Sequence, residues 1–397
     1  MNVLLVASGI DRNPSGYASW IVENIRSCDY ICEVVSPKQI NSYDYHFDIV
    51  IALNKAALSC AKKLTTQKGV PLIYLFTTEG VNNYPQDLSI ADHFILMETT
   101  SLMHTARIPS CVSHLRFCPY LHNVNEIAAN PHPHILVALD TILPKSHTLL
   151  KLLTVFNTLT STQFILVGAP KVLTPICNQN IRSVPELSDE LFRQASLIIA
   201  SGQYVYKAIS SQKPCIVAGD RGYCGIINSE NFEIQYQTQF QGRIGGELDE
   251  YIPPEFIQSD IAFLQQSIYD EETKRRCLIV TSKLKQKRLE ILEHFKTILE
   301  KTVWSYRVLK ENPECLRLKW SAAYSFLHLQ DRFAITQAFS KKLYSIVEKD
   351  EMEIIYAFNE PVCVQDAYSL FKEKFHKADF IAFVSELIQE KILVIDN

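Results

Sequence analysis

Between residues 197 and 246 the sequence arranges a Ser201-Gly202 turn, Lys207 and an Arg221-Gly222 pair around two short apolar runs. Residues 197–200 (LIIA) read as a buried parallel strand. Ser201-Gly202 breaks that strand, and a helical stretch follows from Gln203 to about Ser211. Lys213-Pro214 stops the helix, because proline cannot continue one and restricts the residue before it. A second strand, residues 215–218, then runs into a loop holding Gly219, Gly222 and Gly225. The chemistry such an arrangement suits is anion binding. Backbone N–H groups at a helix N-terminus favour negative charge, and ligands of open α/β sheets sit at the strand C-terminal ends.

These residues resemble the donor half of GT-B glycosyltransferases, in particular the large retaining family that uses nucleotide sugars. The resemblance rests on Ser201-Gly202, on Gln212-Lys213-Pro214-Cys215-Ile216, and on the R-G-x-x-G loop Arg221-Gly222-Tyr223-Cys224-Gly225. It continues in Ser229-Glu230-Asn231-Phe232 and Phe240-Gln241-Gly242-Arg243. One departure stands out: the two glutamates that the family spaces as E-x7-E fall on Ile199 and Lys207. The resemblance implies a nucleotide-sugar donor whose diphosphate is held by Ser201, Gly202, Arg221 and Lys145, the last in the loop after residues 135–139. Lys207 is a further candidate for phosphate, about one and a half turns into the helix. Leaving-group charge would be stabilised electrostatically, with no obligatory metal or cofactor.

Stepping along the chain, the elements that must position these residues alternate as strand and helix. Residues 2–7 (NVLLVA) form a first strand, followed by a loop with Gly9 and Gly16 and a helix from Ala18. Those glycines are seven apart, so G-x-G-x-x-G is not matched and dinucleotide binding is not expected. By the resemblance, this loop helps shape the acceptor or donor-phosphate side. Strands at 32–35, 47–53, 71–76 and 93–97 continue a doubly wound α/β sheet. Thr77-Thr78-Glu79 stands where related transferases often carry a histidine, which makes Glu79 the nearest candidate for an acceptor-side base.

Composition sets the outer bounds. The chain has 397 residues, 47% hydrophobic and 21% charged, which suits a globular protein of two or three domains. A net charge of −4 gives no electrostatic case for nucleic acid. The 11 cysteines lie singly and without a CxxC pair, as in a cytoplasmic protein with reduced thiols. No secretory leader and no membrane span is read. His122, His132 and His134 lack companion ligands at metal spacing, so no metal site is expected. The basic run at 274–288 reads as a solvated helix face, with a peripheral membrane contact as the sharper alternative.

The expected domains are 1–125 (acceptor side), 133–303 (nucleotide-sugar side) and a mostly helical module at 314–397. Two Rossmann-like domains with parallel sheets are expected, with a helical region at 261–303 bracing the back. In the tail, helices at 352–358, 364–375 and 379–390 and a last strand at 392–395 resemble a winged-helix module of the peptide-recognition kind. Residues 351–397 contain four lysines and no arginine, outnumbered by acids, so a protein or peptide partner fits better than DNA. Two function classes stay open. One is a glycosyltransferase acting on a glycan, lipid-linked or peptide acceptor. The other is a GT-B scaffold without turnover that presents its tail to a partner.

Overall fold

The computed structural model describes residues 1–7, 17–40, 45–77, 88–98, 112–116, 118, 134–139, 147–168, 178–219, 221–244, 246, 253–267, 270–330, 332–337 and 343–396. The chain divides into two compact units. Met1–Thr99, Met103–Phe117 and Ile291–Asn397 make the first; Thr100–Leu102 and Cys118–Glu290 make the second.

The first unit is built on a parallel sheet of β1 (Asn2–Ala7), β2 (Ile31–Val35), β3 (Ile49–Leu53), β4 (Leu72–Thr77), β5 (His93–Glu98) and β6 (Val112–Arg116). Their order is β2-β1-β3-β4-β5-β6. The central strand β3 is apolar throughout, and β1 and β4 nearly so, because both faces are covered. Leu4 and Val6, Val50 and Ala52, and Tyr74 and Phe76 enter one core cluster; Val3 and Leu5, Ile49 and Ile51, and Ile73 and Leu75 enter another. Two helices follow strands β1 and β3: α1 (Tyr17–Ser27) and α2 (Lys55–Lys68). Helix α2 is well delimited. The Asn54 side chain accepts the Ala56 and Ala57 amides at its start, and Gly69, at φ 68°, closes it in the left-handed region.

The second unit follows the same logic. Its elements are β7 (His134–Ala138), α3 (His147–Thr158), β8 (Phe164–Val167), β9 (Ile181–Val184), α4 (Asp189–Gln194), β10 (Ala195–Ala200), α5 (Gln203–Ser210) and β11 (Cys215–Gly219). After them come β12 (Gly222–Ile226), α6 (Phe232–Gln237), α7 (Pro254–Ser267) and α8 (Glu271–Glu311). The sheet order is β12-β11-β10-β7-β8-β9, parallel except that β12 runs antiparallel to β11. The order reverses between β7 and β10. Helix α8 has 41 residues; those through Glu290 belong to this unit and those from Ile291 to the first. The expected helical region at 261–303 is therefore two helices, the second reaching Glu311.

The tail departs furthest from expectation. It contains β13 (Arg317–Trp320), β14 (Tyr324–Leu329), β15 (Arg332–Gln337), β16 (Leu343–Glu348), α9 (Lys349–Tyr356), β17 (Val362–Cys363), α10 (Val364–Phe371), α11 (Lys377–Gln389) and β18 (Leu393–Ile395). Strands β14, β15 and β16 form one antiparallel sheet, and β17, β13 and β18 another. The segment is mixed rather than mostly helical. Nor is it a compact unit apart. Leu316, Leu318, Ile355, Phe358, Phe380 and Leu393 share one core cluster with Leu4, Val50, Tyr74 and Phe94 of the first sheet. A separate third domain needs its own core; here the tail covers one face of the N-terminal sheet.

Candidate functional site

Ligands of open parallel sheets bind where the strand order reverses, outside the C-terminal ends. In the second unit that point lies between β7 and β10, and Ser201-Gly202 follows β10 directly. The Ser201 amide donates to the Ala138 carbonyl at the end of β7 over 3.3 Å. Gly202, at φ 53° and ψ −129°, turns the chain into α5. Few side-chain-bearing residues adopt that conformation, which is why glycine is needed there.

Three further segments converge on this turn. The Gly202 amide donates to the Phe240 carbonyl over 3.1 Å, and the Arg221 amide donates to the Gln241 carbonyl over 3.0 Å. The Arg243 amide in turn donates to the Arg221 carbonyl over 3.3 Å. Thr148, at the start of α3, donates its hydroxyl to the Gly219 carbonyl over 3.1 Å. Packing at these junctions leaves no room for side chains. A Cβ on Gly219 would lie 2.5 Å from the Gln241 carbonyl oxygen, and one on Gly242 would lie 2.5 Å from the Arg221 carbonyl carbon. Beneath the loop, Tyr206, Phe232, Tyr236 and Phe240 interlock edge to face and in stacks, with ring centroids 4.9 to 6.3 Å apart.

The sequence-derived candidates separate on this frame. Arg221 is partly exposed, and among the described residues its guanidinium has no hydrogen-bond or ion-pair partner. Ser201 is buried, and the Gly202 amide is already engaged by Phe240, so this turn shapes the loop before it can serve a ligand. Lys207 is turned away to α4: its Nζ lies 2.6 Å from Asp189 Oδ1 and 4.9 Å above the Phe192 ring. A carboxylate and an aromatic face hold the ammonium there. Ile199, where the family carries a glutamate, is fully buried in the centre of β10 between Val137 and Ile216.

Gly222 and Gly225 do not lie in a loop, as expected, but on β12, where Gly225 pairs with Val217 and Gly222 with Gly219. Both have positive φ, 94° and 75°, and a register shift between Val217 and Ala218 accommodates them. Tyr223 donates its hydroxyl to Asp260 over 2.8 Å, and burial raises the Asp260 carboxyl above its usual range. Gly9, Gly16, Glu79 and Lys145 lie outside the described residues, as do His122 and His132. His134 opens β7, buried, with Nε2 3.2 Å from the Leu191 carbonyl; burial lowers its pKa.

Two features escaped sequence reasoning. Gln239 and Phe240 stand consecutively at φ 51° and 58°, an unusual left-handed pair without glycine. Neither residue type advertises that conformation. Lys213, read only as part of a helix stop, is buried and donates to the carbonyls of Arg193 (2.9 Å) and Ala195 (2.6 Å); desolvation pulls its pKa down to about 8. Its burial is legible only once β10 and α4 are adjacent. The basic run at 274–288 is largely ion-paired along α8, with Lys274 to Glu271 at 2.6 Å and Arg275 and Arg276 to Glu272 at 2.9 and 3.0 Å. Among the described residues no helix is long and apolar enough to cross a membrane.

No protein-family model matches the chain, and no curated protein matches it. Among solved structures, a glycosyltransferase from Rickettsia africae ESF-5 is similar at 13% identity, covering 78% of this chain and 99% of that one with a TM-score of 0.51. Alr3699/HepE of Anabaena in complex with UDP and glucose aligns at 11% identity over 76% of this chain and 100% of that one, with a TM-score of 0.48. The fold is α/β with two Rossmann-like units, as in the GT-B fold.

Proposed function

We propose that the second unit binds the diphosphate of a nucleotide sugar and that the protein is a glycosyltransferase of the retaining, metal-independent type. One observation carries this reading: Arg221, partly exposed and with no side-chain partner among the described residues, is hydrogen-bonded through its backbone to the loop that also engages Ser201-Gly202 at the switch point of the sheet. A guanidinium presents a planar fork that suits phosphate. Two Rossmann-like units supply the frame for this chemistry, and the similar Rickettsia africae protein is described as a glycosyltransferase. Lys145, from the loop after β7, would add a point charge to the same diphosphate. Gly9 and Gly16 would shape the other side of the reaction and Glu79 would serve as its base. The acceptor is a glycan, a lipid-linked glycan or a peptide.

Ile199 in the core and Lys207 held by Asp189 favour a second reading. Neither position offers the carboxylate that the resembling family uses, so the protein would be a binding scaffold without turnover. Its winged-helix-like tail would then contact a protein or peptide.

Calorimetry of the full chain with UDP, other nucleoside diphosphates and their sugar conjugates tests both. Saturable binding that Arg221→Ala weakens by roughly 10-fold or more, the weight of one charged hydrogen bond, supports a donor site. Hydrolysis or transfer of the bound sugar would establish the enzyme. Binding without either supports the scaffold, and no binding to any member of the panel overturns the donor site.

A further inference from the structure

The first unit holds a cavity of about 380 Å³ that the donor reading does not use. It lies at the N-terminal ends of β5 and β6, the end of the sheet opposite to where ligands of such folds sit. Helix α8 forms one wall and the β13–β18 edge of the tail forms another. Its size is that of a small-molecule site.

The α8 wall carries polar and charged side chains, with His294 and Lys301 at its solvent-exposed rim. His294, Ile298, Lys301 and Ser305 recur at four-, three- and four-residue intervals, so they share one helix face, and all four line the cavity. The neighbouring stripe of the same helix, with Phe295, Leu299 and Val303, is packed into the core. Among the described residues neither Lys301 nor His294 has a hydrogen bond or ion pair. Two more lysines reach the same space. Lys391 donates to the Asp92 carbonyl over 2.9 Å, and Lys319 lies 2.7 Å from Asp396. The one lining carboxylate, Asp92, accepts the Leu72 amide over 2.8 Å and so is turned into the sheet. The lining at Phe94 and Leu393 is apolar, as is Leu309, one turn beyond Ser305 on the same face of α8.

We infer that this cavity is a binding site for a small phosphomonoester, its phosphate toward Lys301 and His294 and its organic part against Phe94, Leu309 and Leu393. Phosphate suits the lysine set because an ammonium meets it as a point charge from any side. Burial, with smaller contributions from Lys391 and His294, holds the His93 imidazole at the cavity wall down at about pKa 4. Because the walls come from the sheet, α8 and the tail, an occupant would tie the tail to the sheet. This inference does not depend on the donor site.

The test uses the full chain with phenyl phosphate, inorganic phosphate and phenol, at ionic strength fixed with sodium chloride. Melting temperature and hydrogen exchange at residues 297–305 and 391–395 are followed together. Phenyl phosphate should raise the melting temperature saturably and slow exchange in both segments, inorganic phosphate should do so more weakly, and phenol should do neither. Lys301→Gln, at an exposed helix position, should weaken phenyl phosphate about 10-fold, and His294→Gln should weaken it less. Arg221→Ala should leave the response intact. The inference is overturned if no saturable response exceeds that to chloride. It is equally overturned if Arg221→Ala abolishes the response while Lys301→Gln does not, because the phosphate is then bound in the second unit.

Discussion

The Arg221 amide donates to the Gln241 carbonyl over 3.0 Å, and a Cβ on Gly219 would lie 2.5 Å from that same oxygen. The carbonyl of Gln241 therefore fixes the arginine and forbids a side chain two residues before it. Gly219→Ala should push the 239–243 loop off β11. The expected cost is about 1–3 kcal/mol, typical of overpacking a tight site. Denaturant melts measure the loss, and nucleotide affinity should fall along with it.

Lys207 invites a different expectation from the one its place in the sequence suggests. Its partner Asp189 is 76% exposed, so the pair contributes under about 1 kcal/mol. Lys207→Ala should change stability little and nucleotide affinity less than about 2-fold. Lys207→Glu should give no added preference for a ribonucleotide over its deoxy analogue; a clear gain in calorimetry would show that the side chain swings to the donor.

Truncation after residue 312 removes Leu316, Leu318, Ile355, Phe358, Phe380 and Leu393 from the core they share with Leu4, Val50 and Tyr74. A fragment of residues 1–312 should aggregate or melt without cooperativity, because one face of its sheet is left bare. A soluble fragment with a sharp transition, seen by calorimetry and gel filtration, would contradict the shared core.

His93 makes the first unit sensitive to acid. Its pKa is lowered from 6.5 to about 4, first by burial and then by Lys391 and His294, while its Nε2 sits 2.8 Å from Ser113 Oγ. Below pH 6.5 the unfolded chain takes up a proton that the folded chain refuses. Stability is thus fully present above about pH 6.5 and falls until about pH 4. Urea melts between those limits should show the slope, and His93→Gln should flatten it.

Much of the frame is legible in the sequence because buried parallel strands are apolar at every position, as in Leu4-Leu5-Val6 and Ile49-Val50-Ile51. Ser201-Gly202 and Lys213-Pro214 mark real ends for the same local reason. The tail strands are less visible. In β14, Phe326, Leu327 and Leu329 are all partly or well exposed, so the alternation that reveals a half-buried strand is blurred. The contacts of Lys207 are not legible in the sequence because helix position says nothing of which neighbour meets an ammonium; Asp189 and Phe192 become its neighbours only in the folded unit.

The core that joins Leu4 and Val6 to Ile392 and Leu393 has a temporal consequence. A ribosome releases the first sheet hundreds of residues before the segment that covers it, while all of 118–290 emerges in between. The second unit can complete itself during translation; the first cannot until residues 291–396 have emerged. Its nascent strands present apolar surface for that whole interval, and long-range closure of this kind is slow and exposed to aggregation. Chaperone demand during synthesis should therefore fall on the N-terminal sheet, and a premature stop anywhere in the tail should be as damaging as one far upstream.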